Sequence, residues 1–177
     1  IQSLSYDGTI PYFDYSKALS QMHSGTITGV GGSMSFLTWV RSPGNNDNGI
    51  VGMGSSTFGQ NAWLELTTAS NVKFGLYNFD SAGGFSAPGA LNTWNLLVGT
   101  LDGVTGDQNV YQNGVFRGFI DRNRAYSGDG TYRINYGRFV SAQYGDNDVS
   151  HVLTYNRVLS GTEITTLFDE YKTFYGL

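Results

Sequence analysis

The sequence predicts an all-β protein of two antiparallel sheets packed face to face, with one short helix near the C-terminus. Its 177 residues include 25 Gly, 12 Tyr, 11 Phe and 3 Trp. Charged residues make up only 14% of the chain, against roughly 25% in typical globular proteins. Short runs of β-branched and aromatic residues alternate with turn residues along almost the whole sequence, and one helical pattern follows them.

The strands follow from runs that are apolar or alternate between apolar and polar residues. In the clearest hairpin, two alternating runs flank Asn113-Gly114, a pair that fits a type I′ turn and requires positive φ at Gly114. With weaker runs we count about a dozen strands, which two packed sheets closed as a jelly roll accommodate. The stronger runs lie at 34–41, 62–67, 72–77, 94–101, 109–119, 132–137 and 149–156.

The helix is predicted from about Gly161 to Thr173. Ser160 and Glu163 have the spacing of a capping box, in which each side chain bonds to the other residue's backbone N–H. An apolar stripe follows at helical spacing and predicts that the helix docks on the sandwich. The docking residues are Ile164, Leu167 and Phe168, and Tyr171 and Phe174 are also interpreted as packing residues.

Composition and charge exclude several classes of protein. The chain has no Cys, which excludes disulfides, thiolate metal sites and cysteine nucleophiles. Its formal charge of −4 argues against nucleic acid as a partner, and no apolar run approaches the ~20 residues that span a bilayer. Residues 117–138 nevertheless hold five Arg against two Asp. This basic segment is either a solvated sheet face or a site for an acidic glycan or an acidic neighbouring subunit.

Three segments resemble the laminin-G-like jelly rolls of the concanavalin-A-like lectin/glucanase group. They are 34–43, with a central Trp, 94–114, with its Asp-Gly and Asn-Gly turns, and 149–164. The third contains Tyr-Asn-Arg, Leu-Ser and Glu-Ile, a pattern that closes many such domains. The tail from Glu170 resembles domains in bacterial and bacteriophage surface proteins. The resemblance implies one laminin-G-like jelly-roll domain over residues 1–177, located extracellularly or on a virion surface.

The sequence offers few of the residues that glycoside hydrolases and Ser–His hydrolases use for catalysis. Glycoside hydrolysis needs two carboxylates flanking the scissile bond, and the chain has only Glu65, Glu163 and Glu170 as glutamates. Glu163 is expected in the capping box, Glu170 on the helix, and Glu65 alone between leucines. Ser150 and His151 are neighbours on a predicted strand, so we expect them to point to opposite faces and not to act together. The sequence therefore predicts a protein that is not an enzyme, glycoside hydrolase being the less favoured alternative.

Calcium is the one metal for which the sequence offers ligands. Asp146 and Asp148 place carboxylates at alternate positions of one turn, and Asp47 lies in another polar loop. An EF-hand is excluded, because its sixth position would be His151 and its twelfth Arg157. Many of the similar jelly rolls carry an acidic residue where Ser150 stands. The turn is thus a weak calcium site or an ordinary Asx-rich turn, and no other cofactor is indicated.

Carbohydrate binding is the function that the aromatic and amide residues favour. A sugar stacks its apolar face on an aromatic ring, and its hydroxyls bond to nearby polar groups. Such residues concentrate in three loop regions, although we expect half or more of their rings to lie in the core of so aromatic a chain. The candidate ligand-binding residues are Trp63, Tyr77, Asn78, Phe79, Asp80, Phe85, Arg138 and Tyr144.

Two functions of different class remain. The first is a non-catalytic recognition module for carbohydrate or a cell-surface glycan, displayed extracellularly or on a virion. The second is a structural virion protein, such as a capsid decoration or fibre domain, whose partners are other virion subunits. A concave, aromatic-lined surface favours the first function, and an exposed apolar patch outside the loops favours the second.

Overall fold

The structure of the chain is a computed structural model. It describes residues 13–18, 32–43, 48–54, 61–66, 70–76, 79–80, 84–121, 131–134 and 147–177. Twelve strands lie in these ranges: β1 Phe13–Ala18, β2 Met34–Arg41, β3 Asn48–Gly54, β4 Asn61–Leu66, β5 Asn71–Leu76, β6 Phe79–Asp80, β7 Phe85–Ser86, β8 Trp94–Leu101, β9 Asp107–Gln112, β10 Val115–Asp121, β11 Thr131–Ile134 and β12 Asp148–Tyr155.

The strands form two antiparallel sheets, as the sequence predicts. The seven-stranded sheet has the order β1-β11-β3-β4-β5-β6, with β7 also paired to β5. The five-stranded sheet has the order β10-β9-β8-β2-β12. Among the described strands, β10 and β12 are therefore the two edges of the five-stranded sheet. Every strand pair is antiparallel, so the all-β sandwich is confirmed.

The core between the sheets is built by the predicted alternation. Leu64 and Leu66 of β4 pack with Val72 and Phe74 of β5 in one buried cluster. Phe36 of β2 completes it from the other sheet, with its ring centroid 5.6 Å from that of Phe74 in an edge-to-face contact. Side chains at every second position of each strand thus fill the space between the two sheets.

The five-stranded sheet also buries its outer face, because a helix lies on it. Leu97 and Leu101 of β8 join the inter-sheet core, whereas Leu96 and Val98 join a second cluster on the other face. This explains why 94–101 is apolar at nearly every position. A strand buried on both faces cannot alternate apolar and polar residues.

The helix α1 spans Gly161–Tyr171, and a 3₁₀ turn over Lys172–Tyr175 follows it. The predicted capping box is present, with the Ser160 side chain accepting from the Glu163 N–H. Ile164 is fully buried against the sheet, and Leu167 and Phe168 pack beside it. Docking of the helix is thereby confirmed. In the described part of the chain no helix is long and apolar enough to cross a membrane.

The end of the helix differs from the prediction. The switch to 3₁₀ geometry after Tyr171, with three residues per turn, directs Tyr175 onto Trp39, where the ring centroids stack 4.1 Å apart. Tyr171 and Phe174 then project outwards and are 37% and 55% exposed. Tyr171 still contacts the His151 ring and Phe174 the Tyr175 ring, so each packs on one side and is open to solvent on the other.

The hairpin between β9 and β10 has the predicted turn. Asn113 has φ 53° and Gly114 has φ 78°, the pair of positive values that a type I′ turn requires. The Asn113 Oδ1 atom accepts from the Leu96 N–H at 2.9 Å, and its Nδ2 donates to Asn95 Oδ1 at 3.1 Å. The turn is thus tied to the neighbouring strand β8.

Candidate functional site

The structure gives the burial of two candidates for sugar binding, Trp63 and Phe85. Trp63 lies on β4 between two paired strands and is 0% exposed, so its ring cannot stack on a sugar. Phe85 is half-buried and packs against the core. A Cβ at Gly118 would lie 2.2 Å from Phe85 Cδ1, so β10 covers this ring closely. The prediction for Trp63 is therefore wrong, because neighbouring strands cover its ring, whereas the prediction for Phe85 stays a prediction.

The remaining candidates of this kind stay predictions. Phe79 and Asp80 form β6 and pair with Leu76 and Gly75 of β5, which places them at the end of the seven-stranded sheet. The other four lie outside the described residues: Tyr77, Asn78, Arg138 and Tyr144.

Of the three calcium candidates, Asp148 lies within the described residues. Asp148 bonds to Arg41, whose Nε lies 2.8 Å from Asp148 Oδ2. Asp146 and Asp47 lie outside the described residues. In the part of the chain that the structure describes, no three acidic or His side chains group as metal ligands would. Calcium binding by Asp146, Asp148 and Asp47 thus stays a prediction.

Glu65 is not the isolated carboxylate that the sequence suggested. It is fully buried, and its Oε1 lies 3.1 Å from Lys73 Nζ on the adjacent strand. Gly84 closes over this pair, since a Cβ there would lie 2.8 Å from Lys73 Cγ. A carboxylate enclosed in this way cannot approach a glycosidic bond, and the ion pair explains how a charge is tolerated at this depth.

Ser150 and His151 lie on the same side of β12, contrary to expectation. A β-bulge between Ser150 and Val152 places the extra residue, His151, at φ 50°. As a result, Ser150 Oγ lies 3.2 Å from His151 Nδ1. The Tyr175 hydroxyl donates to Ser150 Oγ at 2.9 Å and also contacts His151 Nδ1. Val149 and Val152 both reach the inter-sheet core, and this spacing of three was the available sign of a bulge.

This cluster fastens the C-terminal turn to the sheet. Tyr175 is 6% exposed, and burial raises the pKa of its hydroxyl, whereas its hydrogen bond to Ser150 has the opposite, smaller effect. Both polar partners of the hydroxyl are already in contact with it. The cluster therefore anchors the C-terminal turn to β12, and Ser150 lies buried next to the Tyr175 hydroxyl.

A groove runs between edge strand β12 and α1 on the outer face of the five-stranded sheet. We call it the β12–α1 groove. It begins as a hollow of about 290 Å³, a volume at the lower end of the range for small-ligand sites. Sequence reasoning missed it, since its residues come from a strand, a loop and a helix. Its lining residues are Tyr155, Arg157, Leu159, Thr162, Glu163, Thr166 and Leu167.

Polar groups of this hollow are held in fixed positions. Arg157 Nη1 and Nη2 donate to the two carboxylate oxygens of Glu163 at 2.9 and 2.6 Å. Glu163 also accepts from the Ser160 N–H at 2.8 Å. The Arg157 side chain, followed by the Ser160 bonds, lowers the pKa of Glu163 to about 2. The Arg157 guanidinium lies 5.9 Å from the Tyr155 ring centroid. One aromatic ring, one cation and one permanent anion thus share a small space.

Aromatic rings continue the groove towards the end of the helix. We call His151, Tyr171 and Phe174 the aromatic rim. The His151 ring centroid lies 5.8 Å from that of Tyr171 and 6.4 Å from that of Phe174. All three side chains are exposed. Leu153, 40% exposed, lies on β12 between His151 and Tyr155. The rim and the hollow are therefore two parts of one surface.

The family follows from comparison with known proteins. A laminin-G family model, described as the concanavalin A-like lectin/glucanases superfamily, matches residues 15–165. The chain belongs to this family. No curated protein matches it as a relative by sequence. Solved structures do match, and at their low sequence identities they show a shared fold.

Three of these structures illustrate the shared fold. The heptameric SAP-like pentraxin of Limulus polyphemus has TM-score 0.69 and 16% identity, over 94% of this chain and 81% of that one. The botulinum neurotoxin serotype G binding domain has TM-score 0.62 and 15% identity, over 84% of this chain and 40% of that one. A structure of botulinum neurotoxin type C, whose cell entry depends on interaction with two ganglioside molecules, has TM-score 0.57 and 16% identity. The match covers 80% of this chain and 36% of that one. The chain thus corresponds to well under half of each neurotoxin structure.

Proposed function

We propose that this chain is a non-catalytic recognition domain that binds carbohydrate in the β12–α1 groove. The hollow at Tyr155 carries the proposal. There an aromatic ring, the Arg157–Glu163 pair and the Thr162 side chain line about 290 Å³. A pyranose ring can stack its apolar face on the tyrosine, while its hydroxyls bond to the carboxylate and the guanidinium. Because these groups are already fixed by one another, little ordering is needed on binding.

The family and the neighbouring folds support a binding role. The superfamily contains lectins and glucanases, and binding domains of toxins share the fold. The chemistry of hydrolysis has little support in the described residues. Glu65 is buried with Lys73, and Glu163 is held by Arg157 and the helix cap. Glycosidic cleavage needs an accessible acid and a second carboxylate across the bond, which favours binding over turnover.

A cell-surface glycan is the partner that we propose, with the domain located extracellularly or on a virion. Tyr77, Asn78, Phe79 and Asp80 remain candidates for a second contact with such a glycan. Arg138 and Tyr144 are candidates for the same contact.

The test is a glycan array with the purified chain, followed by calorimetric titration of each glycan that binds. Thr166→Arg places a long side chain in the hollow from an exposed helix position, and we expect at least a tenfold loss of affinity. Tyr155→Leu keeps apolar volume but removes the ring, and should weaken binding about tenfold.

The matched control is Val104→Arg, which adds the same charge at a residue that is 87% exposed and does not line the groove. It should bind as the wild type does. Melting temperatures of all three variants check that they fold. The proposal is wrong if no glycan on the array binds, or if folded Thr166→Arg and Tyr155→Leu bind with unchanged affinity.

A structural role through subunit contacts is the second candidate, and β10 favours it. Val115, Phe116 and Phe119 on this strand are 52%, 50% and 58% exposed. Among the described strands, β10 pairs only with β9, so its other side presents backbone groups that another strand can use. The occupant that we propose is a second copy of the chain, paired antiparallel through β10. A register centred on Phe119 places Arg117 opposite Asp121 of the other copy.

Sedimentation velocity tests this contact. The wild type should sediment as a dimer at micromolar concentration, and Phe119→Lys should sediment as a monomer, because burying an unpaired ammonium at the centre of the contact is unfavourable. A wild-type chain that stays monomeric across the concentration range would exclude self-association through β10.

A further inference from the structure

The cation that lines the hollow of the β12–α1 groove, Arg157, is already paired. It binds Glu163 through two hydrogen bonds. Two of the five N–H donors of Arg157 bind the Glu163 carboxylate, and this pairing neutralises the positive charge that would attract an acidic ligand. The groove is therefore poorly suited to a sialylated or sulfated sugar.

Displacing the Arg157–Glu163 pair would also disturb the helix. Glu163 Oε2 accepts from the Ser160 N–H at 2.8 Å and from the Ser160 hydroxyl at 2.8 Å, which makes it half of the capping box. An acidic ligand that captured Arg157 would leave this carboxylate beside a second anion. The pair thus acts as a neutral unit that offers its remaining acceptor and donor sites to hydroxyl groups.

One further carboxylate gives the groove an excess of negative charge. Glu170 follows Thr166 of the hollow by four residues, so the two lie on one face of α1, and Glu170 directly precedes Tyr171 of the aromatic rim. Glu170 is exposed and makes no ion pair with any described residue. Like charges repel even in water, at about 1 kcal/mol for a separation of 4 Å. Glu170 therefore disfavours an anionic sugar passing from the hollow to the rim.

The length of the groove exceeds a single sugar ring. Glu163 lines the hollow, and Tyr171 belongs to the aromatic rim, so their separation along α1 is about 12 Å. Leu153 lies on the strand between Tyr155 and His151 and is 40% exposed, so an apolar side chain lies between the hollow and the rim. Two stacking sites joined by an apolar floor match successive rings of a linear chain.

We infer that the β12–α1 groove selects an uncharged, linear oligosaccharide, with one ring in the hollow and another on the aromatic rim. This inference rests on the proposed function. It goes further by specifying the charge and the length of the ligand and by assigning Tyr171 and Phe174 to its recognition.

The experiment titrates the full chain with neutral linear oligosaccharides of two to six rings, taken from the series that binds on the array. The same oligosaccharides carrying a terminal sialic acid or a sulfate are titrated in parallel. Affinity should rise with length until both sites are occupied. The acidic forms should bind several-fold more weakly at low salt, with a smaller difference at 0.5 M salt because ions screen the repulsion.

Two variants at exposed positions sharpen the test. Phe174→Ala should lower the ratio of hexasaccharide to disaccharide affinity about fivefold, since it removes a stacking face only at the rim. Glu170→Gln should reduce the difference in affinity between the neutral and the acidic oligosaccharides, without a change in the melting temperature of the protein.

The outcomes separate this inference from the proposed function. If no glycan binds, both are wrong. Suppose that a glycan binds, that Thr166→Arg weakens this binding, and that the acidic forms bind more tightly than the neutral ones. The proposed selection for an uncharged ligand is then wrong, while the proposed function stands. The inference of an extended site is wrong if affinity does not depend on oligosaccharide length and Phe174→Ala leaves the ratio of hexasaccharide to disaccharide affinity unchanged.

Discussion

The Tyr175 hydroxyl links β12 to the C-terminal turn, and its ionisation can be used to measure that link. Burial raises the pKa of Tyr175 above its ordinary value of 10.0. Below pH 10 both folded and unfolded chains keep the proton, and the full stabilisation is present. As the pH rises further, the unfolded chain loses the proton first, so stability decreases until the folded pKa is passed.

Tyr175→Phe should therefore lower the free energy of unfolding by about 1 kcal/mol at pH 7, the typical contribution of one buried hydrogen bond. The difference from the wild type should shrink above pH 10. Urea denaturation from pH 7 to 11 measures both. Tyr171→Phe, at an exposed ring, serves as the control and should change little at pH 7. A wild-type to Tyr175→Phe difference that stays constant to pH 11 would contradict the assignment.

Single residues were the level at which sequence reasoning most often failed. Glu65 appears isolated in the sequence because its partner, Lys73, lies on the next strand and is brought opposite it by strand pairing. Ser150 and His151 appear to face apart because strict alternation hides the bulge between them. Trp63 was a binding candidate because it lies near polar residues in the sequence, but a local pattern does not reveal whether both faces of a sheet are covered.

At the scale of elements, the helix is the part best suited to a quantitative test. Ile164 is the α1 residue that is fully buried against the sheet. Ile164→Ala should cost about 3 kcal/mol, within the range for truncating a buried aliphatic side chain. The free energy of unfolding from denaturant titration measures this. Glu170→Ala, at an exposed site on the same helix, should cost less than about 0.5 kcal/mol. Equal effects of the two substitutions would mean that α1 is not docked.

The elements that were predicted are those with local signals. The Asn113-Gly114 turn fixed the β9–β10 hairpin, and the Ser160–Glu163 box fixed the start of α1, because each depends on residues a few positions apart. The two-residue strands β6 and β7 exist by pairing with β5, and no pattern of their own predicts them. The 3₁₀ end of the helix likewise depends on the slot that Trp39 offers to Tyr175.

At the scale of the molecule, the two proposed surfaces lie at opposite edges of one sheet. The groove follows β12 and the self-association surface follows β10, with three strands between them. The sequence predicted the sandwich, since alternation and turns define it. It did not predict the groove, because Tyr155 and Leu167 look like ordinary packing residues until the helix is placed beside the strand.

This arrangement leads to a prediction about binding to surfaces. A dimer formed through β10 leaves both copies of the β12–α1 groove open, so two grooves can engage one glycan-coated surface. Engagement of the second site is then intramolecular, and apparent affinity can rise by about 10² or more without any new contact. Phe119→Lys, which should abolish the dimer, should leave the affinity for a free oligosaccharide in solution unchanged.

Surface plasmon resonance on dense and sparse glycan layers measures the effect. The wild type should dissociate much more slowly from the dense layer than from the sparse one, whereas Phe119→Lys should dissociate at the same fast rate from both. On the sparse layer the two proteins should become indistinguishable, since neighbouring glycans are then too far apart for one dimer to reach. A wild type that dissociates equally fast at both densities, despite sedimenting as a dimer, would mean that the β10 contact orients the two grooves away from a common surface.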